Sequence, residues 1–148
     1  MKKNYSKTVI SVFTLVVLLG IGGLVAYAST VYSNWSYIGP VNGYYYQDRS
    51  WATKVSSGVH GGAVLEPQWD GSAPAGYMAL NTKLINGDGY LINQSGWYIN
   101  EDVSYGIIQL TSSCTTSGIY HGMGEVGVYN GSTYTHYYTN NSPNVIWP

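Results

Sequence analysis

Apolar and polar residues alternate with a period of two through most of the chain beyond Ala28. Gly-Pro, Asn-Gly and other Gly-bearing turns interrupt that alternation about every 8–14 residues. A period of two sends successive side chains to opposite faces of an extended chain, so each run buries one face and wets the other. Beyond the N-terminal segment no convincing helical stretch is present. The chain is therefore expected to be all-β, an antiparallel β-sandwich of about eight short strands, with a small open β-barrel as the second arrangement.

The clearest unit is Gly76–Asn100, two alternating runs around Asn86-Gly87-Asp88-Gly89. With a four-residue turn, Met78, Leu80, Thr82 and Leu84 share the core face with Leu91, Asn93 and Trp97. A bulge or second turn at Gln94-Ser95-Gly96 would instead turn Trp97 over. Upstream, Val31, Ser33, Trp35 and Tyr37 oppose Tyr32, Asn34, Ser36 and Ile38, and Asn42-Gly43 suits a type I′ turn into Tyr44-Tyr45-Tyr46. Trp51, Thr53 and Val55 share one face. Val59, Ala63 and Leu65 oppose His60, Val64 and Glu66. Ser104–Thr116 reads as one long strand with Gly106, Ile108, Leu110, Ser112 and Cys114 together. In the last hairpin, around Asn130-Gly131, Val126, Val128, Thr135 and Tyr137 oppose His121, Met123, Glu125, Tyr129, Tyr134, His136 and Tyr138. A two-residue turn there sets Tyr137 across from Gly124 and Tyr134 across from Gly127, aromatic rings covering strand glycines.

The N-terminus carries Lys2, Lys3 and Lys7, an uncharged apolar run from Thr8 to Tyr27, and Ala26-Tyr27-Ala28. A basic region, an apolar region and an A-x-A site make a secretory signal peptide over residues 1–28, leaving a single domain over 29–148. The alternative is a retained N-terminal membrane anchor; Gly20, Gly22 and Gly23 weaken it as a permanent helix. Cleavage leaves Arg49, Lys54 and Lys83 against seven acids, a formal charge of −4. Ordinary domains are about 25% charged, so this surface is built from Ser, Thr, Asn, Gly and Tyr. With no basic patch to hold phosphates, nucleic acid is not an expected partner. Nor is stable membrane insertion expected after cleavage. A single cysteine, Cys114, excludes an internal disulfide.

The chemistry-bearing residues each have a plainer reading. His121, Glu125 and His136 share a hairpin face. Four strand residues, roughly 13 Å, separate His121 from Glu125, so no single metal ion bridges them and Glu125 with His136 reads as a cross-strand polar pair. Cys114 lacks a nucleophile motif and reads as a small buried residue. Asn86–Gly89 lacks the ladder of acids that a calcium loop needs. Glu101, Asp102 and Asp70 are carboxylates that a glycosidase could use only if the fold brings them together. No catalytic residue, cofactor or metal is assigned.

Aromatic residues are the most suggestive set. Pro67–Ala75 is the one long stretch without a strand pattern, and it keeps Trp69 beside Asp70. With Tyr44–Tyr46 and the face of Glu125, Tyr134, His136 and Tyr138, it could stack on sugar rings or bind a peptide or lipid headgroup. The plainer reading is that a low-charge β-domain uses Tyr as an amphipathic strand residue.

In Gly39-Pro40-Val41-Asn42-Gly43-Tyr44-Tyr45-Tyr46, Val128-Tyr129-Asn130-Gly131 and Ser142-Pro143-Asn144, the chain resembles small secreted Tyr-, Gly- and Asn-rich β-proteins of Gram-positive bacteria. The resemblance implies export and no particular activity. Secreted bacteriocins of the lactococcin 972 type are likewise small, β-rich and Tyr/Gly/Ser-rich, without a motif matched here. The leading expectation is a secreted, non-enzymatic domain that binds a cell-wall or other extracellular glycan. The alternatives are a secreted antibacterial or toxin-like protein, a wall or glycan hydrolase, and a self-assembling surface or matrix protein, the last because Tyr-rich strands offer edges open to pairing.

Overall fold

A computed structural model describes residues 28–148. The expected signal peptide lies, but for Ala28, outside the described residues. The strands in chain order are β1 (Ser29–Tyr32), β2 (Ser36–Val41), β3 (Tyr44–Val55), β4 (Gly58–Pro67), β5 (Met78–Asn86), β6 (Leu91–Gln94), β7 (Tyr98–Ile99), β8 (Ile107–Leu110), β9 (Gly118–Tyr129), β10 (Tyr134–Tyr138) and β11 (Val145–Trp147), with no helix among the described residues. They form two antiparallel sheets, and neither closes into a barrel. The first runs β1-β3-β4-β8, with β2 continuing along the β1 edge of β3. The second runs β10-β9-β5-β6, with β11 continuing the β10 edge and β7 the β6 edge. Each sheet is thus two long central strands flanked by short or broken edges. Eleven strands appear where about eight were expected, because these edge runs break in two.

Strand alternation puts Tyr46, Asp48, Ser50 and Ala52 of β3 on the inner face, against Met78, Leu80, Thr82 and Leu84 of β5 and Tyr120, Val126 and Val128 of β9. The interior divides into two apolar clusters. One is built on Tyr46, Leu65, Met78, Leu80, Val126 and Val128. The other uses Ala52, Val59, Leu84, Cys114, Tyr120 and Val145. Complete burial of a Leu, Val or Met side chain contributes roughly 1.5–3 kcal/mol.

Between the clusters the sheets pinch to a waist. A Cβ on Gly122 would collide with the Trp51 carbonyl, and one on Gly61 would sit 2.7 Å from the Lys83 carbonyl oxygen. Backbone meets backbone here, so only glycine fits. Ser50 Oγ lies 2.9 Å from the Gly122 carbonyl oxygen, which also accepts the Ser142 N–H at 2.9 Å, and 2.6 Å from that of Asn140. No room exists at this level for an indole, which is why Trp51 and Thr53 face outward while Ser50 and Ala52 turn in.

Several expected registers change. In the Gly76–Asn100 unit, Met78, Leu80, Thr82 and Leu84 are buried as expected, and Asn93 stays across from Leu84. A bulge then sets Leu91 opposite Ile85, on the outer face. Trp97 also turns outward, beyond the positive-φ Gly96, and meets His136 edge-on at 5.1 Å. Ser104–Thr116 is not one strand. β8 pairs Leu110 with Gly62, whereas Cys114 bridges Val59. One extra residue lies between those pairs, so Ile108 and Leu110 face out while Cys114 joins the core. The last hairpin keeps its expected faces but takes a four-residue turn, placing Tyr137 opposite Val126 and His136 opposite Gly127. Tyr134 still packs diagonally beside Gly127, where a Cβ would lie 3.3 Å from its ring, but Gly124 faces inward, against Ala63 and Thr139. Asn42 and Gly43 both carry positive φ, 47° and 82°, as a type I′ turn requires.

Candidate ligand-binding face

Each sheet presents an aromatic outer face, and the sequence-derived residues are divided between them. Glu125, Tyr134, His136 and Tyr138 gather on the second sheet. There Lys83 Nζ donates to Glu125 Oε2 at 2.6 Å, and His136 Nδ1 stands 3.7 Å from Glu125 Oε1. Lys83 also lies 5.6 Å from the Tyr138 ring centroid, and Tyr134 donates its hydroxyl proton to the Gly76 carbonyl at 2.6 Å. On this face Lys83 and Glu125 pair with each other, while His136, opposite Gly127 on the neighbouring strand, stands near Glu125 without a hydrogen bond. A shallow apolar hollow of about 210 Å³ between Trp97, Ile99, Tyr134 and His136 is what remains open.

Trp69 and Asp70 belong to the opposite side. Trp69 is 76% exposed and meets Tyr45, an outward residue of β3, at 4.9 Å edge to face. Both Trp69 and Asp70 adopt positive φ, 59° and 55°. A non-glycine residue there costs of order 1–3 kcal/mol, and Trp gains no local hydrogen bond in compensation. The backbone thus holds an indole out in solvent at an energetic cost. A cleft of about 380 Å³ opens beside it, lined by Gln47, Glu66, Trp69, Asp70 and Tyr105. With sheets about 10 Å apart, no small ligand touches this cleft and the Tyr134 face together.

Further along the same outer face lies a group that the sequence reading did not single out. The Arg49 guanidinium carbon sits 4.5 Å from the Tyr32 ring centroid and 4.3 Å from that of Trp35. Two residues on, Trp51 covers Gly62 across the strand pair and packs 5.8 Å from Tyr32. Tyr32, Trp35, Arg49, Trp51, Glu66 and Ile108 border a second cleft, of about 370 Å³. Glu66 lines both clefts, and its Oε1 accepts from Gln47 Nε2 at 2.7 Å. Outward positions of β3 therefore read Tyr45, Gln47, Arg49, Trp51, spaced roughly 6.6 Å apart. The result is a strip with rings at both ends and polar groups between.

A break in the edge strand creates this arrangement. Tyr32 and Trp35 are three residues apart and would point to opposite faces of an unbroken strand. Ser33 turns inward, its N–H donating to the Ser50 carbonyl at 2.8 Å while the Ser50 N–H donates to Ser33 Oγ at 2.9 Å. That kink brings both rings to the Arg49 side. The alternation expected over Val31–Ile38 is overturned here for this reason. The one signal the sequence carried was that Arg49 is among only three cations after Ala28, set amid Tyr and Trp.

The remaining candidates resolve simply. Asn86 Oδ1 accepts from the N–H groups of Asp88 and Tyr90, so Asn86–Gly89 is a closed hairpin turn. Cys114 is buried with its thiol 3.4 Å from the Tyr120 hydroxyl. Asp70 lines the Trp69 cleft, whereas Glu101 and Asp102 line a different one beside Ser104 and Gln109. Burial lowers the His121 imidazole below its ordinary pKa. Among the described residues no three His, Cys, Asp or Glu side chains converge to hold a metal, and no helix is long and apolar enough to cross a membrane. No family model, curated protein or solved structure matches the chain.

Proposed function

We propose that this is an exported, non-enzymatic domain that binds an extracellular glycan, cell-wall polymer foremost, along the outer face of its first sheet. The observation that carries the reading is the strip Tyr45–Gln47–Arg49–Trp51, extended by Trp69 at one end and by Tyr32 and Trp35 at the other. Pyranose rings present C–H faces that stack on aromatic rings, and hydroxyl rims that hydrogen-bond to amide, carboxylate and guanidinium groups. Rigid aromatics give large contact area at low entropic cost. Export rests on the basic, apolar and A-x-A pattern of residues 1–28. Co-sedimentation of the purified protein with insoluble cell-wall glycan tests the reading. Saturable binding that soluble glycan competes away, and that Trp51→Ala and Trp69→Ala each weaken, is expected. Binding indifferent to both substitutions overturns the placement on this face.

A second reading, self-assembly, has its own support. β6 and β7 of one sheet and β8 of the other border the same side of the molecule, joined where Thr82 Oγ1 donates to the Gln109 carbonyl. Leu91, Ile99, Ile108 and Leu110 are exposed there, beside strand edges open to pairing. A sedimentation velocity series shows mass rising with concentration if copies pair along this side, and a constant monomer if they do not.

A further inference from the structure

Building on the glycan reading, we infer that the ligand carries a carboxylate, as an acidic sugar unit does, and that Arg49 is the residue that selects it. The Arg49 guanidinium carbon lies over both the Tyr32 and the Trp35 rings, at 4.5 and 4.3 Å from their centroids. Among the described residues the cation has no ion-pair partner, and its Nε is buried without a hydrogen-bond partner. The other two cations of the domain are occupied, Lys83 by Glu125 and Lys54 by the Ile146 carbonyl at 3.2 Å with the Trp147 ring nearby. A guanidinium held against two rings at the border of a cleft, with no carboxylate partner of its own, suits a planar two-oxygen acceptor.

The neighbours narrow the anion. Glu66 borders the same cleft, and its charge is not neutralised by a cation, since its partner is the neutral Gln47 amide. A second negative charge nearby disfavours a dianionic phosphate more than a singly charged carboxylate. Trp51 and Val64 border the cleft beside the clamp and offer a flat surface to the sugar ring that carries the acid.

Arg49 is a specificity residue in this reading, and the test separates it from the glycan reading itself. The probes are glucuronate and galacturonate, with glucose as the neutral control and glucose phosphate as the alternative anion. The readout is the indole N–H signal of Trp35 in NMR titrations of the purified protein. Saturable shifts with one or both uronates, far weaker with glucose, are expected. Arg49→Gln should lower uronate affinity by about tenfold or more, and Arg49→Lys, which keeps the charge but not the fork, should recover only part of it. Unchanged indole dispersion in both variants shows that they fold. Absence of a shift with either uronate overturns the inference, as does tighter binding of glucose phosphate. Wall binding that survives Arg49→Gln but not Trp51→Ala keeps the glycan reading and rejects this one. Uronate binding without wall binding does the reverse.

Discussion

Asp48 and Arg49 are adjacent residues of opposite charge that do not pair. Strand alternation sends Arg49 outward between Tyr32 and Trp35 and drives Asp48 into the interior, where it is fully buried. Neither Asp48 oxygen has a hydrogen-bond partner among the described residues. Desolvation pushes its pKa from 3.8 up to about 6, offset only in part by the nearby Ser36 hydroxyl. The peptide unit between the two residues therefore separates a carboxyl that resists ionisation from a cation with no ion-pair partner among the described residues.

The first prediction concerns pH. The folded state holds the Asp48 proton up to about pH 6, whereas the unfolded chain releases it near 3.8. The folded state binds more protons in that window, so this group's contribution to stability falls as pH rises from about 4 to 6 and stays low above. Two units correspond to about 3 kcal/mol. Asp48→Asn should thus gain on the parent by about that much between pH 4 and pH 7. Denaturant midpoints of both proteins across the range decide it, and a pH-independent difference refutes it.

The waist predicts a contrast between two glycine substitutions in β9. Gly122→Ala drives a methyl group into the Trp51 carbonyl, and backbone cannot step aside as a side chain can. A loss of about 3 kcal/mol or more, or outright failure to fold, is expected. Gly127→Ala meets only the Ala79 and Tyr134 side chains, at 3.3 Å, and should cost about 1 kcal/mol. Equal melting temperatures for the two variants would remove the waist as a constraint.

Asn100 should prove a structural linchpin. Its side chain accepts from Met78 N–H at 2.9 Å and donates to the Pro74 and Asp102 carbonyls at 2.7 and 2.9 Å. One amide thereby ties β5 to the loop that carries Trp69. Asn100→Ala leaves those three backbone groups without this partner, and a cost of about 3 kcal/mol is expected. The exposed Trp69 should lose ligand contact as well, so thermal stability and glycan affinity fall together.

The second sheet supplies the negative control. Lys83 and Glu125 are each mostly covered, with 18% and 19% of their side chains exposed. Glu125→Gln should cost about 1 kcal/mol and leave glycan binding where it was. Reduced glycan affinity in a folded Glu125→Gln protein would move the binding face to this sheet.

The legible parts of the chain were those where one local rule decided the outcome. The period of two in β4, β5 and β9 correctly assigned Leu65, Leu80, Val126 and Val128 to one side, because a strand paired on both edges cannot change parity. Asn86–Gly89 and Asn42-Gly43 were legible as turns for their own backbone reasons. The Arg49 clamp was not. It depends on the inward turn of Ser33, which is decided by hydrogen bonds to Ser50 on another strand. Likewise Ile108 and Cys114 lie on different faces because of one extra residue opposite β4. Such bulges are settled by tertiary pairing and leave no mark on the alternation itself.

The waist also bears on how such a domain can diverge. Where the sheets touch at Trp51, the contact is made by its backbone carbonyl against Gly122, not by its ring. The scaffold is thus anchored through atoms that every residue possesses, while the side chain at that position serves the exposed surface. Descendants of this sequence can exchange the outward residues of β3 to suit new ligands while the two glycines keep the frame in place. Divergence in this lineage should be written on the outer strip and nearly silent at Gly61 and Gly122.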